Sequence, residues 1–177
     1  MIRRQRVRAF RPIREAEADI RRRIEFGTFL GKAQKDPHTE TVRKLLSLKP
    51  GQKAKGIVDV PQLKYRYARF TRDAFAMDKN FALAFGKTAV TSTVTFDATH
   101  YGDRIHIKGT VTHEWDDEYD FDREGQPGHK QATILEKAKL AKPFDIAAEW
   151  TQDVEGWVEI RDGRLTNPRF TWTDKNE

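Results

Sequence analysis

Cysteine is absent from this 177-residue chain. The fold therefore carries no disulfide and no thiolate metal site, and it is compatible with a reducing or an oxidising compartment. No run of apolar residues approaches the length of a helical membrane span. The N-terminus is basic but lacks the apolar core of a secretory signal, so the expectation is synthesis in the cytoplasm and delivery by other means for any work elsewhere. Internal repeats are missing as well. Apolar residues are sparse at 37% and charged residues plentiful at 34%, yet 11% aromatics favour a folded protein over a disordered one. The length suits one domain, or one domain with a helical appendage, and is enough to bury a core without staples.

The net charge of +6 is unevenly placed. Residues 1–56 hold 16 Lys and Arg against 6 Asp and Glu, whereas residues 57–177 hold 17 against 21. The basic first third calls for an anionic partner: nucleic acid, a phospholipid surface or an acidic protein.

Along that third, an arginine arm (Arg3, Arg4, Arg6, Arg8) precedes Pro12 and an acid-led helical pattern from about Ile13 to Glu25, loosely continued to Leu30. Arg21, Arg22 and Arg23 read as a solvated face. Thr39 can cap a short helix over Glu40–Leu48, with Val42, Leu45 and Leu46 on one face. A short apolar stretch, Ile57–Val60, ends at Pro61. Between Leu63 and Phe85, aromatic residues interleave with Lys64, Arg66, Arg69 and Arg72. That mixture is open between a stacking surface for bases and a short strand (Lys64–Phe70) followed by core-facing helix, and core is the better reading.

From Lys87 onward the pattern is plainer. Val90, Val94 and Phe96 alternate with threonines, and Ile105, Ile107 and Val111 alternate with His106, Lys108, Thr110 and Thr112. The two runs predict an antiparallel hairpin around His100–Asp103. A helix is expected over Gln131–Leu140, then strands over Phe144–Trp150, Gly156–Ile160 and Leu165–Trp172, the last two joined by Asp162-Gly163. The class is α+β: a basic helical N-terminal region over residues 1–56, then an antiparallel sheet with one helix over residues 57–177.

Between hairpin and helix lies His113–Lys130, reading HEWDDEYDFDREGQPGHK, with seven carboxylates. A strand-to-helix connection of this composition can gather acids, a phenol, an imidazole and an ammonium at one sheet edge, the groups that phosphoryl chemistry uses. Asp116, Asp117, Glu118, Asp120 and Asp122 are oxygen donors suited to Mg²⁺ or Ca²⁺, although no EF-hand pattern is present. Zinc is disfavoured, because His106, His113 and His129 lack ligand spacing. Two close carboxylates push their pKa values apart and can supply a base and an acid. His129 can shuttle a proton, and Lys130 can steady phosphate charge. Composition alone leaves a solvated loop as the plainer reading of each residue.

The string Asp117-Glu118-Tyr119-Asp120-Phe121 resembles the Asp-x-Tyr-Asp-Phe signature of the colicin M family, bacteriocins that degrade lipid II. The resemblance extends over residues 88–160. A Gly-Thr-Val-Thr strand (Gly109–Thr112) leads into the motif, and a His followed by a basic residue, a helix and a strand come after it. It implies a divalent-cation-dependent phosphodiesterase that cuts the polyprenyl-pyrophosphate bond of lipid II in the periplasm of target bacteria. By position, Asp120 would be the central catalytic carboxylate, as base or metal ligand. Asp117 and Tyr119 would support it, Asp117 as a second metal ligand, and His129 would be acid/base or substrate partner. The family has Arg where this chain has Lys130, and a shorter gap than that between Asp120 and His129. The implied partners are lipid II, the anionic membrane surface, a cognate immunity protein and a secretion-system carrier. Two readings of other classes stand beside it. One is a nucleic-acid-binding module using the arginine arm and residues 64–72. The other is a structural or adaptor protein of a phage or secretion particle.

Overall fold

A computed structural model describes residues 11–31, 40–59, 65–67, 88–119 and 144–175. Two helices and six strands fall within them: α1 (Arg11–Ile24), continued by a π-helical turn (Glu25–Phe29), α2 (Glu40–Leu46), β1 (Lys53–Asp59), β2 (Tyr65–Tyr67), β3 (Thr88–His100), β4 (Arg104–Tyr119), β5 (Phe144–Arg161) and β6 (Arg164–Asp174). The α+β class follows directly. The strands form an antiparallel sheet in the order β1-β3-β4-β5-β6, with β2 also paired to β3. The chain divides into two compact units, one of residues 1–17, 64–90 and 114–149, the other of 18–63, 91–113 and 150–177.

In the first unit, Tyr65–Tyr67 pairs antiparallel with Thr88–Val90. This matches the strand reading of that aromatic stretch. Ala16, Val90 and Trp115 are buried.

The second unit contains two hairpins, β3–β4 and β5–β6. Tight turns close both of its hairpins. Between β3 and β4 the Tyr101 amide donates to the Arg104 carbonyl, with Gly102 at positive φ. Between β5 and β6, Asp162 (φ 51°) and Gly163 (φ 69°) take the left-handed conformation of a type I′ turn, as the Asp-Gly pair predicts. The strand alternation is as expected. Val94, Phe96, Ile105, Ile107 and Val111 are buried, whereas Thr95, Lys108 and Arg104 are exposed. Both flanking strands contain a bulge. In β1 the register shifts between Ala54 and Ile57, where Gly56 (φ 60°) donates its amide to Asp97 Oδ1 at 2.8 Å. In β6 it shifts opposite Trp157–Glu159, where Asn167 has φ 53°. Each bulge lets apolar residues on either side of it reach the same face.

One ring, Phe29, packs the helical layer against two strands of the sheet. Ala16, Ile20 and Ile24 fall at four-residue intervals and are buried, which is the apolar stripe of α1. The π turn that follows re-aims the chain so that Gly27, Thr28 and Phe29 are buried in succession. Phe29 meets Phe96 edge-on at 5.3 Å and Phe170 at 4.5 Å between ring centroids. Both sheet phenylalanines lie over glycines. A Cβ at Gly109 would strike the Thr95 carbonyl and Phe96, and one at Gly156 the Arg169 carbonyl and Phe170. Gly31 (φ 69°) then turns the chain against Val42 of α2.

Several expectations need correction. His113–Tyr119 is not the start of a loop but the last part of β4. The two strands expected at Phe144–Trp150 and Gly156–Ile160 are one strand, β5, because the polar run between them keeps strand alternation, with Gln152 and Val154 buried. The α-helix ends at Ile24, not Glu25, and its extension is π-helical. Nor are the three arginines of α1 uniformly solvated. Arg23 Nε binds Asp19 Oδ2 at 2.6 Å, and Arg21 Cζ sits 5.6 Å from the centre of the Trp172 ring. The arginine arm, Thr39, residues 68–72 and the helix expected over Gln131–Leu140 lie outside the described residues.

Candidate functional site

The acid-rich segment begins within the sheet. Sixteen residues of continuous strand bring β4 to Tyr119, so Asp117 and Tyr119 stand third-last and last in it. Asp120, His129 and Lys130, the remaining candidates, lie outside the described residues. Among the described residues no group of three or more His, Asp or Glu side chains could hold a metal ion.

Immediately before that segment, β4 carries a buried polar group that the sequence reading passed over as a candidate. His113 is fully buried, as are Ser92 of β3 and Gln152 of β5. The Ser92 hydroxyl lies 2.8 Å from His113 Nδ1, and Gln152 Oε1 lies 3.2 Å from Nε2. The Gln152 amide has its orientation set from outside. Arg21 Nε, which can only donate, contacts the same Oε1 at 3.1 Å, and Gln152 Nε2 donates to Asp174 Oδ1 at 2.6 Å. Oε1 therefore faces the imidazole, and His113 Nε2 must carry a hydrogen. In the neutral ring, Nδ1 then accepts from Ser92. The result is a hydrogen-bonded chain across β3, β4, β5 and β6, running from a buried hydroxyl to the exposed Asp174. Trp150 stacks on the imidazole, with centroids 5.2 Å apart and planes 26° from parallel. A sequence signal for this group did exist. Ser92 shares the parity of Val90 and Val94, His113 that of Val111, and Gln152 that of Val154, so each strand sets a polar residue between apolar ones in its inward row.

The opposite face of the sheet is polar and holds paired charges. Glu155 receives Lys108 Nζ at 3.0 Å and His106 Nε2 at 3.2 Å. The Lys108 hydrogen bond, followed by the charges of Lys108 and His106, holds the Glu155 carboxyl below the usual carboxylate range. The hydrogen bond from Asn167 Nδ2 at 2.8 Å, aided by Arg161, does the same for Glu159. Trp157 is enclosed by Arg104 at 4.6 Å, His106 at 4.7 Å and Tyr101 at 5.3 Å. Its ring is thus already occupied by neighbours within the chain.

No protein-family model matches this chain, and neither a curated protein nor a solved structure matches it.

Proposed function

We propose that the chain is an antibacterial toxin of the phosphodiesterase class, hydrolysing the polyprenyl-pyrophosphate bond of lipid II in the periplasm of target bacteria and so stopping peptidoglycan synthesis. The observation that carries this reading is the Asp117-x-Tyr119-Asp120 string, of which Asp117 and Tyr119 stand at the C-terminal end of β4. Support comes from an antiparallel sheet leading into the motif, as the resemblance implies for the catalytic domain. In the reaction, water attacks phosphorus, the bond from phosphorus to the polyprenyl oxygen breaks, and that oxygen takes up a proton. The products are the polyprenol and the pyrophosphorylated sugar-peptide. Asp120 is the base or a ligand of the divalent cation, Asp117 and Tyr119 support it, His129 returns the proton, and Lys130 steadies the phosphate as a point charge. The carboxylates of Asp117 and Asp120 are hard oxygen donors of the kind Mg²⁺ or Ca²⁺ takes. The partners on this reading are lipid II, the anionic membrane surface, a cognate immunity protein and a carrier of a secretion system.

The test directs the protein to the periplasm with an added signal peptide, beside an Asp120→Ala version. Lysis by the unaltered protein alone, with none on cytoplasmic expression, supports the reading. Two folded, exported proteins that are equally harmless reject it. Equal lysis by both assigns the damage to the basic first third instead.

A further inference from the structure

We infer that the turn end of the second unit docks on an anionic lipid bilayer, through the row of crests Lys49–Gln52, Tyr101–Arg104 and Arg161–Arg164. The membrane as a partner in the cell rests on the phosphodiesterase reading; the affinity of these crests for an anionic bilayer does not.

Two backbone hydrogen bonds set the three turns side by side. The Gly51 amide donates to the His100 carbonyl at 2.8 Å, next to the Tyr101–Arg104 turn. The Ile160 amide donates to the Asp103 carbonyl at 2.7 Å, next to the Arg161–Arg164 turn. All three turns belong to the second unit. Their crests stand in open space, because a Cβ at Gly51, Gly102 or Gly163 would meet no atom within 4 Å beyond its chain neighbours.

Positive charge predominates at this end. Lys49, Lys53, Arg104, Arg161 and Arg164 are all exposed there, against the carboxylates of Asp103, Glu159 and Asp162. Glu159 holds Arg161 at 2.7 Å, and Arg104 stands 4.0 Å from Asp103. Arg161 and Arg164 are direct cross-strand partners, and like charges so placed repel. A phosphate shared by the two guanidiniums relieves that repulsion, and the planar fork of arginine matches phosphate oxygens.

The rest of the row favours a bilayer over a nucleic acid. Tyr101, on the central turn, is 56% exposed, an amphipathic ring of the kind that sits at headgroup level. A nucleic acid strand asks for a groove along its backbone and for ring faces on which bases stack. These turns project as crests, and Trp157 behind them has its ring covered by Arg104 and His106. A bilayer surface yields around projecting side chains and presents a plane of phosphates to them.

The test uses the full chain and vesicles of phosphatidylcholine, alone or mixed with phosphatidylglycerol, with binding read by co-sedimentation. The unaltered protein should bind the mixed vesicles, not the neutral ones, and should be released by high salt. Each Lys or Arg beside an anionic leaflet contributes about fivefold to partitioning, so Arg161→Ala with Arg164→Ala should lower the partition coefficient by about tenfold or more. Lys49→Ala with Lys53→Ala should act alike and serves where the arginine pair does not fold. Arg22→Ala with Lys175→Ala removes the same charge from α1 and from beyond the far end of β6, and should cost clearly less.

No binding to the mixed vesicles overturns the inference. So does equal binding to neutral vesicles, unchanged partitioning in the crest variants, or an equal loss in the Arg22 and Lys175 pair. Tighter binding to a DNA duplex, lost in the same crest variants, assigns the surface to nucleic acid and overturns it too. Lipid II placed in the mixed vesicles separates the two proposals. Crest-dependent binding without hydrolysis rejects the phosphodiesterase reading and leaves the docking surface standing, whereas hydrolysis with binding indifferent to the crests does the reverse.

Discussion

Replacing Phe29 by alanine should loosen the packing of the helical layer on the sheet. The ring is fully buried and packs the π turn on both β3 and β6, through Phe96 at 5.3 Å and Phe170 at 4.5 Å. Removing a buried phenylalanine side chain costs about 3–5 kcal/mol, the upper end applying where the surroundings cannot close on the cavity. The upper end is expected here. Phe96 and Phe170 already rest on Gly109 and Gly156 with no space for even a Cβ beneath them, so neither ring can sink toward the sheet to fill the gap. A loss of about 4 kcal/mol is a large part of the total stability of a domain this size. With a urea dependence of about 2 kcal/mol per molar, the unfolding midpoint should fall by about 2 M. Phe29→Leu keeps most of the volume and forfeits mainly the two aromatic pairings, at about 0.5–1.5 kcal/mol each, so its midpoint should lie between the other two. Urea titration followed by tryptophan fluorescence and by circular dichroism measures both. A loss below about 1 kcal/mol in Phe29→Ala, with an unchanged urea slope, would refute the view that this ring holds the layers together.

Two further outcomes follow from polar groups in the second unit. Glu155 and Glu159 have folded-state pKa values below their usual ones, so the stability they contribute is present above the unfolded-state pKa and is lost as pH falls through the folded-state value. Glu155→Gln should therefore flatten the acid limb of the stability curve and leave the slope near neutrality unchanged, as urea midpoints across that range would show; an unaltered acid limb counts against the Lys108–Glu155 pairing. His100 is buried to 6% exposure with neither ring nitrogen hydrogen-bonded, so His100→Leu should leave thermal stability equal or raise it by about 1 kcal/mol; a clear drop in melting temperature would mean the imidazole has a partner, such as a buried water.

The parts of the fold legible in the sequence are those whose burial is apolar. The β3–β4 hairpin shows itself because Val90, Val94, Phe96, Ile105 and Ile107 repeat with the strand period and fall on one face. The Asp162-Gly163 turn shows itself because a type I′ turn needs two residues that tolerate positive φ. What escaped shares a different cause. The run Thr151–Glu155 reads as a break between two strands because Gln152 occupies an inward position, and Gln152 is there because His113, Arg21 and Asp174 satisfy it. The same residue thus hides the continuity of β5 and completes the buried chain. The extension of β4 through Glu114–Tyr119 was hidden by composition, since acidic residues hold the strand through backbone pairing that no side-chain pattern announces. The π turn has no periodic signature, because five residues are too few to display one. Of the candidate site, position in the strand is established for Asp117 and Tyr119, whereas Asp120, His129 and Lys130 lie outside the described residues.

The charge asymmetry takes on a narrower meaning once these contacts are placed. The sequence assigns most of the excess positive charge to the first third, and an anionic partner is the natural inference. Within α1, however, Arg21 spends its guanidinium on Gln152 and the Trp172 face, and Arg23 is held at 2.6 Å by Asp19. Arg22, 71% exposed and only 3.7 Å from the same carboxylate, is the member of the triplet best placed to meet an outside anion. A helix that spends one of three adjacent arginines on its own core gives a nucleic-acid reading less than its composition promises, because affinity for a polyanion grows with the number of cations free to displace counterions. The claim of the strand end at Asp117–Tyr119 rests instead on the kind and order of residues that β4 carries there.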